Sequence, residues 1–110
     1  MRLINLTPHE VVIINNGVNT VFKPESIPAR CSSSTIVVGE IKIDGGTVDL
    51  TSTSFGEVEG LPSENEGVGY IVSRLVAEAC PQRHDLYVTN GAVRDGSGRI
   101  IGCTSLTQIH

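Results

Sequence analysis

A chain of 110 residues is one domain's worth, long enough to bury a core without disulfides. It is 39% hydrophobic and 18% charged, with no Trp, two Tyr and two Phe, so its core must be Val, Ile and Leu; its net charge of −4 works against general nucleic-acid binding. No apolar run reaches the ~18 residues of a membrane span, no basic-plus-apolar leader opens the chain, and Cys31, Cys80 and Cys103 form no CxxC pair, which together read as a soluble protein with reduced cysteines.

The first element signal is "NNG", set between the apolar runs Val11–Ile14 and Val18–Phe22. Asn and Gly accept the positive φ of a tight turn, so a β-hairpin is expected. "KPESIPARCSSS" carries two prolines and four serines and reads as a loop or irregular edge. "DGG" then separates Thr35–Ile43 from Thr47–Ser52, a second hairpin signal, with a short further strand around Glu57–Val58. Pro62–Gly67 is acidic and bounded by Pro and Gly, and reads as an exposed loop.

The stretch Gly67–Cys80 admits two readings. Val68, Ile71, Val72, Leu75, Val76, Ala79 and Cys80 share one face of a single helix. Against that, Val68–Val72 is β-branched and aromatic, and Ser73 is a ready helix cap. The preferred reading is a strand over Val68–Val72 and a helix from Arg74 to Cys80, ended by Pro81. "DLYVT" makes the next strand, and the 13 residues from Ser73 to Asp85 suffice for a crossover between parallel strands. "DGSG" marks a third hairpin in the tail. The expected class is a single α+β domain over residues 1–110: a mostly antiparallel sheet built from hairpins, with one short helix in a βαβ crossover.

Catalytic and metal motifs are weak. Cys80, His84 and Asp85 are close in sequence, but Cys80 falls on the apolar face, where a buried thiol is inert. His9, His84 and His110 are isolated, and the carboxylates of "GEVEG" and "SENEG" read as solvated loops. "DGSGR" and "EGVGY" match no phosphate loop and serve as turns. No cofactor or metal is expected, and the chain reads as a non-enzyme, with a small hydrolase as the lowest-ranked alternative.

The strongest constellation is polar and basic. Ligands favour the carboxyl ends of parallel strands, which here carry Ser73 and Asn90. Ser73 opens the helix, whose free N–H groups favour an anion. Arg83, Arg94 and Arg99 lie nearby as bidentate donors, and Tyr70 or Tyr87 offers a stacking ring. The bland alternative pairs Arg83 with Asp85, Arg94 with Asp95 and Arg74 with Glu78 as surface ion pairs.

Taken in order, "INLTPH", "IPAR", "GEVEGLP" (Gly56–Pro62), "EG" before "YIVSRLVAEA", "RHD" and "VRDGSGRIIGC" resemble small accessory proteins of bacteriophages and bacterial mobile elements. The likeness spans nearly the whole chain. It departs at "HDLYVTNGAV", which lacks a Pro between Asp85 and Val93. The resemblance implies a counter-defence protein working in the host cytoplasm. Two expectations follow. One is a sponge that binds a small anionic, nucleotide-like immune signal through Ser73, Arg83, Asn90, Arg94, Arg99 and Tyr70 without turnover. The other is a protein–protein inhibitor of a host defence complex, of the anti-CRISPR kind. Small size, few aromatics and many sheet edges also point to a homo-oligomer.

Overall fold

The computed structural model describes residues 1–25 and 27–110; Ser26, inside the predicted Pro- and Ser-rich loop, lies outside the described residues. The chain forms β1 (Arg2–Asn5), β2 (Val11–Asn15), β3 (Val18–Phe22), β4 (Arg30–Ile43), β5 (Gly46–Glu59), β6 (Val68–Ile71), α1 (Arg74–Glu78), β7 (Leu86–Arg94) and β8 (Ile100–Thr107). Strands take 59% of the residues and helix 5%, which overturns the expected α+β class: the protein is mostly β. The predicted crossover helix shrinks to the five residues of α1. Ser73 caps it, its hydroxyl accepting the Val76 N–H at 3.3 Å, but Ala79 already closes it. The residue before a proline resists helical geometry, so Cys80 and Pro81 leave room for little more than one turn.

Six strands form one sheet in the order β1-β6-β7-β8-β2-β3. β1, β6 and β7 run parallel, β7–β8 and β2–β3 are antiparallel, and β2 pairs parallel with β8. The sheet curls into a nearly closed barrel. Its edges meet where Asn5 bridges Pro24. The Asn5 amide locks this seam: it donates to the Phe22 carbonyl at 2.9 Å and the His9 carbonyl at 2.7 Å, and accepts from the Thr7 N–H at 2.9 Å. Among the described residues Asn5 is the buried polar residue of the core, 1% exposed, and every part of its amide is used.

Two apolar clusters pack against the sheet. Val11, Ile71 and Cys103, with Leu3, Phe22 and Leu106, fill the inside of the curl. Leu3 and Phe22 come from opposite edge strands and can meet only on the concave side. Tyr70, Val72, Val76, Leu86 and Val88 form the outer layer, over which α1 lies.

All three turn signals sit at hairpins. Asn16 and Gly17 have φ of 50° and 78°, the positive pair that a twisted two-residue turn needs. "DGG" joins β4 to β5, and "DGSG" joins β7 to β8. The second hairpin is much longer than predicted. β4 begins at Arg30 rather than Thr35, and the expected short strand at Glu57–Val58 is the end of β5. The serines taken for loop are in the ladder: Ser34 faces Ser54 with hydroxyls 2.9 Å apart. This pair of 14-residue strands forms its own two-stranded sheet, an arm on the barrel.

Candidate functional site

A groove opens where β2 and β8 part. Their ladder is confined to Ile13–Cys103. Beyond it the strands and the Thr7–Glu10 loop bound a concavity of about 390 Å³. Val11, Val12, Ile101 and Cys103 make its apolar floor and walls, while Thr7, His9, Glu10 and Thr89 supply polar groups. A second concavity of about 260 Å³ adjoins it through Thr89, Ile100, Gly102 and Cys103, and extends to Asn90, Gly91 and Ala92. Gly102 lies in both. A Cβ there would stand 2.8 Å from the Val12 carbonyl oxygen, so glycine lets β8 run this close to β2. Apolar walls with a few polar groups are the usual composition of a small-molecule site, and the size falls at the small end of that range.

The sequence-predicted residues separate. Asn90 lines the groove, and its amide reaches the Ser105 hydroxyl at 3.3 Å across the β7–β8 ladder. Ser73 sits past the end of β6, spent as the helix cap. Arg94 lies four residues beyond Asn90, roughly 13 Å along the strand. It is exposed and donates to the Gly98 carbonyl at 2.8 Å, not to Asp95. Arg99 is exposed on the same hairpin end, beside Ile100 of the groove wall. Tyr70 is core, 2% exposed.

Arg83 lies before the start of β7, away from Asn90, and is already neutralised. Its guanidinium grips Asp85 with two hydrogen bonds of 2.8 and 2.7 Å and stands 3.5 Å from Glu64. Both partners of the Arg83–Asp85 pair are about seven-eighths buried. The hydrogen bond from Arg83 holds the Asp85 carboxyl below its ordinary value, against the opposing effect of burial. A carboxyl lowered by folding contributes stability above its unfolded pKa and loses that contribution as the pH falls through its folded value. Asp85→Asn is therefore expected to cost about 2–3 kcal/mol at neutral pH. Below about pH 4 the gap to the wild type should begin to narrow, and it closes once the pH is below the lowered folded value. Urea unfolding of both proteins at pH 7 and pH 3 checks this, and a gap that stays constant argues against it.

The same contacts dispose of the thiol triad. Burial pushes the Cys80 thiol up, Asp85 is held by Arg83, and the His84 Nδ1 faces the His110 carbonyl oxygen at 3.2 Å. Among the described residues no three His, Cys, Asp or Glu side chains gather as a metal site. Among the described residues no helix is long and apolar enough to cross a membrane.

Sequence reasoning missed His9, Glu10 and Ile101 as groove residues. Cys103 and Ile13 are ladder partners 90 positions apart, and a parallel pairing of distant strands leaves no local trace. No family model, curated protein or solved structure matches the chain.

Proposed function

We propose that this chain is a non-enzymatic binding protein, a phage accessory sponge that sequesters a small anionic, nucleotide-derived signal in the host cytoplasm as a homo-oligomer. The observation that carries the reading is the groove. Its apolar floor at Val11, Val12 and Ile101 suits a base, and Thr89 and Asn90 offer hydrogen bonds to a ribose. Phosphates would fall to Arg94 and Arg99 at the hairpin end; Arg94 spends one N–H on Gly98 and keeps further donors. Arg83 is spent on Asp85 and takes no part.

Calorimetric titration of the full chain with cyclic nucleotides and ADP-ribose derivatives tests the reading. Micromolar or tighter binding is expected, with the ligand recovered intact by mass spectrometry. Arg94→Ala and Arg99→Ala should each weaken binding about tenfold to a hundredfold, the worth of a charge-assisted hydrogen bond. Arg74→Ala, whose residue pairs with Glu78 on the exposed helix surface, should leave affinity unchanged. No binding by the wild type, or hydrolysis of the ligand, overturns the proposal.

A second reading, a protein–protein inhibitor, draws support from the arm. Its exposed surface carries Glu40, Asp44, Asp49, Glu57 and Glu59 against Arg30 and Lys42. It takes precedence if no nucleotide binds and a purified defence complex is inhibited by the protein instead.

A further inference from the structure

The β4–β5 ladder sorts the arm's side chains by face, because directly opposed residues in an antiparallel pair project to the same side. Ile41 opposes Val48, Ile43 opposes Gly46, and Gly39 opposes Leu50. Lys42 opposes Thr47 and Glu40 opposes Asp49, on the other side. A bulge between Val37 and Gly39 shifts the alternation by one, so that Ile36, opposite Ser52, rejoins the apolar side. The distal arm is thus an amphipathic ribbon. One face holds Ile36, Ile41, Ile43, Val48 and Leu50 with no charge; the other holds Lys42, Glu40 and Asp49, with Val37 opposite Thr51.

That apolar face is uncovered. Its five aliphatic residues are 46–61% exposed. A lone two-stranded ribbon is marginal in water, and a long apolar strand pair standing free invites association. The whole-molecule dimensions agree. The radius of gyration is 17.4 Å, against about 13 Å for a compact chain of this length. The accessible surface is 7446 Å², against about 5,900 Å² for a folded monomer of 11.7 kDa. The surplus, about 1,500 Å², exceeds the ~800 Å² per partner of a standard protein interface.

We propose that the apolar face of the β4–β5 arm packs on the same face of a second copy, sheet on sheet. Every chain carries this face, and it is aliphatic and uncharged, so an isologous pairing sets no charge against a like charge. The two ribbons would stack about 10 Å apart, with Glu40, Lys42 and Asp49 turned to water on both outer faces. The proposal specifies the homo-oligomer named above and is independent of the ligand.

Light scattering and sedimentation velocity on the full chain provide the test, at micromolar concentration. The wild type is expected as a dimer or an even-numbered oligomer. The double variant Ile41→Lys, Leu50→Lys should dissociate to monomers, with a dissociation constant raised about a hundredfold or more. Its barrel should stay folded, because those side chains touch no part of the core clusters. Circular dichroism checks the fold. Should the double variant not fold, Val48→Cys replaces it: oxidation should then yield a covalent dimer, which wild type, with its native cysteines alone, does not form. A monomeric wild type overturns both the arm pairing and the homo-oligomer, including one whose arm is occupied by a different protein. An oligomer that survives Ile41→Lys, Leu50→Lys, or a Val48→Cys protein that does not cross-link, overturns the arm pairing alone. Neither result touches the groove, which the nucleotide titration judges separately.

Discussion

Asn5→Leu is expected to lower folding stability by about 2–4 kcal/mol, although leucine has the same branching and number of heavy atoms as asparagine. The amide of Asn5 closes the barrel seam through four groups: the carbonyls of His9 and Phe22, and the N–H and hydroxyl of Thr7. Leucine can replace none of these. The His9 carbonyl keeps the Thr7 hydroxyl, 2.9 Å away, so the orphaned groups are the Phe22 carbonyl and the Thr7 N–H. Two unpaired groups at ~1–3 kcal/mol each, partly relieved by water at the seam, set the range. Asn5→Asp refines the test. It still accepts from Thr7 but turns a carboxylate oxygen toward two carbonyls, which raises the folded pKa of the new acid above its unfolded value. Stability then falls as the pH rises through that window, so Asn5→Asp should lie nearer the wild type at pH 5 than at pH 7. Urea unfolding of the three proteins decides; a loss under 1 kcal/mol for Asn5→Leu would mean that the seam is not held by this amide.

Ile71→Ala is expected to cost about 3–4 kcal/mol, a large share of the ~5–15 kcal/mol that holds a domain together. Ile71 has no exposed surface and packs with Val11 and Cys103 inside the curl. Those two neighbours also line the groove. The cavity left by alanine therefore lies directly behind the groove floor, and any ligand that binds there should bind more weakly to the variant even under conditions where it is fully folded. Ile71→Val removes one methylene and should cost only about 0.5–1.5 kcal/mol. Denaturant unfolding of the pair measures the difference. Equal losses for Ala and Val would show that the barrel interior collapses onto the site and that the floor is not rigid.

Local pattern carried much of the architecture. "NNG", "DGG" and "DGSG" each mark a hairpin, since a tight turn needs positive φ and only a few residues supply it cheaply. β-branched residues over 68–71 made a strand, and Ser73 capped the helix that follows. Ion pairing of Arg83 with Asp85 and of Arg74 with Glu78 was also readable, because the partners are two and four residues apart. The fold class was not. Five helical residues could not offset eight strands, and helix length depended on how soon α1 meets the sheet and Pro81. The anion-cradle residues lie apart for a related reason: Ser73, Arg83 and Arg94 share a neighbourhood in sequence, but Arg83 lies before the start of β7 and Arg94 at its far end.

Alternating apolar residues, turn glycines and caps thus determined where strands begin, turn and stop, because those choices cost or gain free energy within a few residues. Tertiary structure decided the rest. The seam at Asn5, the parallel meeting of Ile13 with Cys103 that opens the groove, and the projection of the β4–β5 ribbon beyond the barrel all join or separate residues far apart in the chain. Such contacts are selected by which apolar faces can be buried together, and no local window of sequence holds both partners.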